Sequence, residues 1–406
     1  MTDLLPFFIV LFAGLFLSGI FSRLHLPWVV ALILTGIFIG PSGLDIFTSN
    51  VTLDFLAQIG LVFLMFMAGL HANLSGSHRF VKGITELAFL NGLVPLLAGV
   101  GIGFLFGYDW IASLLIGIIF MSSSIAVVIP SLEASGLIKS KIGQTIVAAT
   151  IFEDIGSLIF LSILLQSASP ITVLPLPVFY ILLFLFLVFF RWLLPKLRWL
   201  LSRLSDRPGD IFQHQLRSIF VILIGTVIAF ELLGLHPIIA GFFAGLVLSG
   251  SVTSSILKDK LQTLSYGFFI PIFFVIIGSK ADVIIFFTLH NAGLLALVIV
   301  FGSLISKFTS GWIGGRLAGF NSTESVLIGS STIPQLSTTL AAVFAGFELG
   351  ILDQKLVSAM VMLSIITTLI APILIKLFSS RVLRKLDLSA LNGDLSAQAG
   401  AEGKVK

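Results

Sequence analysis

Residues 141–167 read KIGQTIVAATIFEDIGSLIFLSILLQS, an apolar run with two adjacent acidic residues, Glu153 and Asp154, near its centre. A helix needs about 20 predominantly apolar residues to cross the hydrocarbon core of a bilayer, so this stretch predicts a membrane-spanning helix. A carboxylate in mid-bilayer is costly and indicates an ion or proton pathway. The stretch therefore predicts a helical membrane protein with an acidic site inside the membrane.

The composition of the whole chain agrees with a membrane protein. Of its 406 residues, 57% are hydrophobic and 10% are charged, whereas soluble domains are about 25% charged. The chain has no cysteine, which excludes disulfides, thiolate metal sites and a thiol nucleophile. It also lacks HExxH, GxSxG and paired GxGD-like motifs. We therefore expect no enzyme, no cofactor and no nucleic-acid partner, and we expect the lipid bilayer to be the solvent.

Apolar runs between charged or Gly/Pro-rich breaks predict about thirteen membrane-spanning segments. They are 4–21, 27–44, 53–71, 84–107, 110–135, 141–167, 171–194, 212–234, 236–250, 262–288, 291–318, 322–346 and 353–379.

Charge placement supports this number of segments. When the gaps between segments are numbered in order, the odd gaps and the C-terminal tail hold 19 of the 23 lysines and arginines. Basic residues favour the cytoplasmic side, so we expect a multi-pass protein of the cell (inner) membrane, with its N-terminus outside and its C-terminus in the cytoplasm.

The two halves of the chain resemble each other at an offset of about 210 residues. The aligned stretches are 27–30 with 237–240, 66–73 with 275–282, and 122–123 with 331–332. Segments 1–6 and 8–13 then form two repeats around segment 7. Because the second repeat starts on the opposite side of the membrane, the repeats are inverted, which is a common plan in secondary transporters.

The adjacent acids Glu153 and Asp154 suit exchange of a proton for a cation. Neighbours on a helix point about 100° apart, so one can face a cavity while the other faces a packed helix. Burial favours the protonated form of a carboxyl group, and its oxygens suit hard cations such as Na⁺ and K⁺. The alternatives are a structural ion pair or a loop.

Two polar stretches predict interrupted helices at matching positions of the repeats. Segment 5 carries Ser122-Ser123-Ser124 followed by Pro130, and segment 12 reads GSSTIPQLSTT over 329–339. Freed carbonyls and hydroxyls in such breaks can coordinate a cation, although Ser-rich helix packing is the alternative. The candidate ion-binding residues here are Ser122, Ser123, Ser124, Thr332 and Gln335.

Lys307 lies midway along segment 11. A lysine in that position needs an anionic partner, and Glu153 or Asp154 is the natural candidate. A buried lysine loses its proton more readily, so Lys307 could take part in proton coupling. The alternative is a lysine that reaches the membrane surface with its long side chain.

With these features together, the chain resembles the monovalent cation:proton antiporters, in the branch of Kef and NapA-type proteins, which are similar to sodium/hydrogen exchangers. The resemblance covers about residues 5–380. The matching stretches are 26–30 and 36–44 (an opening signature), 122–124 (the first crossing helix), 152–155 (an acid preceded by Asp, Asn or Gln), 271–278, and Lys307 as the basic residue before the second crossing.

The resemblance implies an all-α, NhaA-like antiporter fold in which a core domain moves against a dimerisation domain in a homodimer. The implied division is 1–83 (dimerisation-domain helices 1–3), 84–167 (core helices 4–6), 168–211 (linker helix and basic cytoplasmic loop), 212–290 (dimerisation-domain helices 8–10), 291–380 (core helices 11–13) and 381–406 (a disordered cytoplasmic tail).

The resemblance further implies a secondary transporter that exchanges Na⁺, K⁺ or Li⁺ for H⁺ by an elevator mechanism. Asp154 would be the shared cation and proton site, and Glu153 its variable neighbour. Residues 333–337 lack the Gly-Glu pattern of many relatives, and Glu is unusual at position 153. Two acids accompany electrogenic exchange in the family, whereas Lys307 would neutralise one of them, so the stoichiometry and the choice of Na⁺ or K⁺ stay open.

Two other functions fit an inverted-repeat scaffold. An organic-anion carrier would need a basic or neutral site and leaves the acidic pair unexplained. An ion channel or sensor would pass ions without moving protons, which a transport assay distinguishes.

Overall fold

A computed structural model describes residues 4–23, 26–46, 48–71, 83–168, 214–232, 237–249, 255–282, 284 and 290–402, with single positions between 178 and 196. The helices are α1 (Leu4–Arg23), α2 (Trp28–Ile39), α3 (Val51–His71), α4 (Ile84–Leu105), α5 (Trp110–Met121), α6 (Ile125–Ala134), α7 (Lys141–Ala168), α8 (His214–Leu232), α9 (Pro237–Ser249), α10 (Ser255–Leu264), a π-helical turn (Ser265–Phe269), α11 (Ile270–Lys280), α12 (His290–Leu317), α13 (Ser322–Ser331), α14 (Ser337–Glu348) and α15 (Gln354–Glu402).

These helices build the predicted spans. α5 with α6, and α13 with α14, each form one interrupted span, while α10, the π-helical turn and α11 run on as one. Eight helical stretches among the described residues are long and apolar enough to cross a membrane. The predicted seventh segment, 171–194, lies largely outside the described residues. The prediction of an all-α membrane protein with about thirteen spans, two of them interrupted, is confirmed.

The predicted repeat appears in how the helices pack. α2 packs on α11 through Gly36 and Gly278, and α9 packs on α3 through Gly245 and Gly69. An offset of 209 residues relates Gly36 to Gly245 and Gly69 to Gly278. A Cβ atom added at any of the four would lie 2.0–2.3 Å from a backbone carbonyl oxygen of the partner helix. The second helix of each repeat therefore packs against the third helix of the other repeat, at the same point.

Helices α4–α7 and α12–α15 pack together around the two interrupted spans. Each interrupted span begins at a capped helix. Asp109 accepts a hydrogen bond from the Ala112 amide at 2.8 Å at the start of α5. Asn321 and Glu324 form a capping box at the start of α13. Such caps satisfy the free amides of a first turn and fix where each half-helix begins.

The breaks lie where the polar stretches predicted them. Ser122 and Ser124 have extended backbone conformations between α5 and α6. Pro334 lies in the second break, where its ring removes an amide donor and disfavours helical geometry at the preceding residue. Pro130, which we had linked to the first break, lies inside α6 instead. The serines, whose hydroxyls compete for backbone hydrogen bonds, therefore accompany the first break.

Helix α15 ends at Glu402, and the cytoplasmic tail over 381–406 stays a prediction.

Candidate ion-binding site

Four helix ends meet where the two interrupted spans cross. The Ser124 amide donates to the Pro334 carbonyl oxygen at 2.7 Å, which joins the two breaks directly. The Ser123 hydroxyl oxygen lies 3.0 Å from the Thr332 carbonyl oxygen, and the Ser122 and Thr339 hydroxyls lie 2.9 Å apart. Hydroxyls therefore replace part of the helical hydrogen bonding that the breaks remove.

The C-terminal end of α5 carries carbonyls without helical donors and the negative end of a helix dipole. Lys307 of α12 donates to the Met121 carbonyl oxygen at 2.6 Å. The Gln335 amide nitrogen donates to the Phe120 carbonyl oxygen at 2.9 Å. A cation and an amide thus stabilise this end from the second repeat.

Glu153 forms an ion pair with a lysine and accepts hydrogen bonds from two further side chains. Lys307 Nζ lies 3.0 Å from Glu153 Oε2, and both side chains are fully buried. The Ser123 hydroxyl donates to Oε2 at 2.6 Å, and the Asn91 amide nitrogen donates to Oε1 at 2.6 Å. These hydrogen bonds offset the desolvation of a buried ion pair and hold the Glu153 side chain in one position.

Asn91 connects this ion pair to the surrounding helices. Its Oδ1 accepts a hydrogen bond from the Ser310 hydroxyl at 2.6 Å, and its carbonyl oxygen lies 3.5 Å from Lys307 Nζ. Asn91 belongs to α4 and Ser310 to α12, so the amide bridges α4, α7 and α12. Both polar ends of the amide are satisfied, as a buried side chain requires.

Asp154 has different surroundings from its neighbour. It is 2% exposed, and its Oδ1 accepts a hydrogen bond from the Thr338 hydroxyl at 2.9 Å. Thr338 lies in the first turn of α14, where the positive end of the helix dipole favours a nearby anion. Glu153 therefore faces α4 and α12, whereas Asp154 faces the start of α14.

Two oxygen atoms in the breaks are buried without a protein hydrogen-bond partner among the described residues, Ser124 Oγ and Gln335 Oε1. Buried polar atoms are nearly always partnered, so these two are available to a ligand. Hydroxyl and amide oxygens, with a carboxylate, are the donor types that hard cations take.

The structure brings all the predicted site residues to this crossing. They are Asp154, Glu153, Lys307, Ser122, Ser123, Ser124, Thr332 and Gln335. Lys307 is fully buried and does not reach the membrane surface.

Three residues at the site were not predicted from the sequence: Asn91, Ser310 and Thr338. Asn91 was visible as a lone amide in an apolar span, and Thr338 as part of the polar run at 337–339. Nothing in the sequence tells Ser310 from the other serines of its span.

Inverted helical repeats that cross at two breaks around buried charges define a secondary-transporter fold. The model of the family described as "Sodium/hydrogen exchanger, transmembrane" matches residues 7–381. The chain belongs to the sodium/hydrogen exchanger family.

Individual relatives agree with this assignment. "Probable Na(+)/H(+) antiporter 3" of Methanocaldococcus jannaschii is 32% identical, over 91% of this chain and 95% of that protein. "Na(+)/H(+)-K(+) antiporter GerN" of Bacillus cereus is 25% identical, over 87% of this chain and 90% of that protein. The solved structure of the sodium proton antiporter MjNhaP1 from Methanocaldococcus jannaschii has a TM-score of 0.67 and 17% identity, with 92% of this chain and 97% of that chain covered. This last likeness shows a shared fold.

Proposed function

We propose that the protein is a secondary active transporter that exchanges a monovalent cation, Na⁺ or K⁺, for H⁺, with Asp154 as the site that both ions share. The observation that carries the proposal is the contrast between two adjacent buried carboxylates. Glu153 is neutralised by Lys307, whereas Asp154 faces a neutral hydroxyl at the crossing. Relatives named as Na⁺/H⁺ and Na⁺/H⁺-K⁺ antiporters support the same function.

The chemistry follows from the charge of Asp154. A proton bound to this carboxylate removes its charge and therefore its attraction for a metal cation. A bound cation in turn disfavours protonation. Competition for one group gives coupling, because each arrangement of the transporter then carries either one ion or the other. The Thr338 hydroxyl, Ser124 Oγ and Gln335 Oε1 supply neutral oxygens for the cation.

The surroundings of Lys307 favour a one-to-one exchange. Its ammonium donates to Glu153, the Met121 carbonyl oxygen and the Ser123 hydroxyl. Three acceptors match the three donors of a charged ammonium, so we assign the exchanged proton to Asp154 alone. Asp154 then carries one positive ion in each direction, and the exchange moves no net charge, in contrast to the electrogenic exchange that two acids alone would suggest.

Alternating access would come from the division into two bodies. Residues 84–167 and 291–380 form the moving core, and 1–83 and 212–290 form the dimerisation domain of a homodimer. Each body contains helices of both repeats, which pack on one another. A movement of the core across the membrane would expose Asp154 to the two sides in turn.

Proteoliposomes with an imposed pH gradient and a fluorescent pH indicator inside test the proposal. Addition of Na⁺, K⁺ or Li⁺ should dissipate the gradient with at least one of these cations, and Asp154→Asn should abolish the response. Glu133→Gln, the same chemical change at the end of α6 away from the crossing, should leave the response unchanged.

Three results would overturn the proposal. Wild-type protein that moves no protons with any of the three cations is no antiporter. Cation flux without proton movement would instead support a channel, and proton-independent uptake of organic anions would support an anion carrier.

A further inference from the structure

A group of polar contacts lies far from the ion site, at the ends of α3, α11 and α14. The Gln58 amide nitrogen of α3 donates to Glu348 Oε1 at the end of α14, at 2.7 Å. In the division proposed above, Gln58 belongs to the dimerisation domain and Glu348 to the core. This hydrogen bond therefore joins the two bodies that transport would move apart.

Lys280, at the end of α11, adds a second contact between the same bodies. Its Nζ lies 2.9 Å from Asp54 Oδ1 at the start of α3. The same ammonium lies 5.0 Å from the centre of the Phe344 ring on α14. A cation over an aromatic face is attracted by the ring. The Lys280–Asp54 ion pair stays within the dimerisation domain, but it holds the ammonium where it meets the core.

Two further hydrogen bonds join the end of α11 to α15. The Gln354 amide nitrogen donates to the Lys280 carbonyl oxygen. The Asp282 backbone amide donates to the Ser358 hydroxyl at 2.9 Å. Hence α3 and α11 on one side contact α14 and α15 on the other through four polar contacts at one end of the molecule.

The charge pattern of the chain puts this end on the outer side. Lys280 falls in one of the gaps opposite to those that hold most basic residues, and the basic side is cytoplasmic.

We propose that Gln58, Lys280, Phe344 and Glu348 form an outer latch, which closes the outward path and must open in every transport cycle. The proposal rests on the proposed function, since it requires the core to move against the dimerisation domain. Helix α14 links the latch to the ion site, because Thr338 in its first turn contacts Asp154 and Glu348 ends it. Ten residue steps, about 15 Å of helix, separate Thr338 from Glu348, so a shift of α14 moves both residues.

The contacts of the latch are weak enough to break and form again in each transport cycle. Gln58 and Glu348 lie at an exposed edge, where a hydrogen bond competes with water and its net contribution is modest. A core movement of a few ångströms exceeds the range of a hydrogen bond and breaks it, while the Lys280–Asp54 pair can remain intact.

A chemical crosslink tests the latch directly, because the chain contains no cysteine. The double variant Gln58→Cys/Glu348→Cys, reconstituted in proteoliposomes, is treated with a short, reducible bis-methanethiosulfonate reagent. We expect exchange to fall at least tenfold on crosslinking and to recover with dithiothreitol. The matched control is Tyr108→Cys/Asp353→Cys, an exposed pair 3.4 Å apart within the core, whose crosslink lies within one body and should leave exchange at more than half its uncrosslinked rate.

The exchange rate of the double variant before crosslinking distinguishes a failure of the latch from a failure of the proposed function. If it exchanges ions before and after crosslinking at the same rate, antiport stands and the latch is wrong. If Gln58→Cys/Glu348→Cys never crosslinks under conditions that crosslink the control pair, the latch is also wrong.

A second measurement does not depend on transport at all. Ala341 is buried on α14, one turn from Thr338 towards the latch. With Ala341→Cys as a single reporter, Gln58→Ala should raise its labelling by a membrane-impermeant maleimide from the outer side at least threefold. Glu133→Gln should not. An unchanged labelling rate in the Gln58→Ala background would overturn the latch.

Discussion

At the scale of single residues, the site is governed by which partners each buried charge has. Glu153 and Asp154 are neighbours in the chain, yet one contacts Lys307 and the other Thr338. The apolar flanks predict that both acids are buried. The sequence does not reveal the division of roles, because the partners lie 154 and 184 residues away. Their meeting depends on how the second repeat packs onto the first.

The first residue-scale prediction concerns the buried ion pair. Lys307→Met removes the ammonium but keeps a side chain of similar length, and it leaves Glu153 as an unpaired buried charge. We expect a loss of about 3–5 kcal/mol in the free energy of unfolding, measured as a lower melting temperature of the purified protein. The double variant Lys307→Met/Glu153→Gln should recover part of the loss. A double variant no more stable than Lys307→Met would show that the pair is not a structural unit.

Asn91 gives a second prediction at this scale. Asn91→Ala removes one donor from Glu153 Oε1 and leaves the Ser310 hydroxyl without its acceptor on Asn91. The destabilisation should be about 1–3 kcal/mol, the cost of a buried polar group left unsatisfied. Ser310→Ala removes only one partner of the amide and should cost less. Equal melting temperatures for wild type and Asn91→Ala would rule out the bridging role.

At the scale of helices and their contacts, breaks and close approaches decide the arrangement. The serine run at 122–124 and the polar stretch at 329–339 predicted two interrupted spans, and both are present. The glycines of α2, α3, α9 and α11 are harder to interpret in the sequence. A glycine in an apolar span marks a close approach only when its partner helix is known, and the chain has 38 glycines.

The repeat predicts equal sensitivity at related glycines. Gly36→Ala and Gly245→Ala each place a Cβ 2.0–2.1 Å from a backbone oxygen, so the helices must separate. Both should lower the melting temperature and the yield of folded protein by similar amounts. Gly19→Ala is the control, since an added Cβ there meets nothing within 4 Å. A large effect at only one of the two positions would contradict the shared packing.

At the scale of the whole molecule, apolar runs and the alternation of basic residues predicted the span count and the fold class. The same signals do not show which helices from distant parts of the chain share a body. The packing of α4 against α12, with Asn91 and Ser310 between them, is a tertiary contact over 219 residues.

The stoichiometry is a property of the whole cycle. If Lys307 keeps its proton, one cation exchanges for one proton, and a tenfold cation gradient should be balanced by about one pH unit, since each amounts to about 1.4 kcal/mol. A membrane potential set by a thiocyanate gradient should not change the initial rate in proteoliposomes. A rate that follows the sign of the potential would mean that a second proton moves, and Lys307 would be its source.

The central claim, competition of a proton and a cation for Asp154, is tested most directly by proton release. Purified protein in weakly buffered detergent solution, with a pH indicator, is titrated with Na⁺ and K⁺, and binding is followed in parallel by the melting temperature. The wild type should release protons as the cation binds, with less cation required at higher pH, and Asp154→Asn should release none. Cation binding without proton release in the wild type, or equal release from Asp154→Asn, would contradict the shared site.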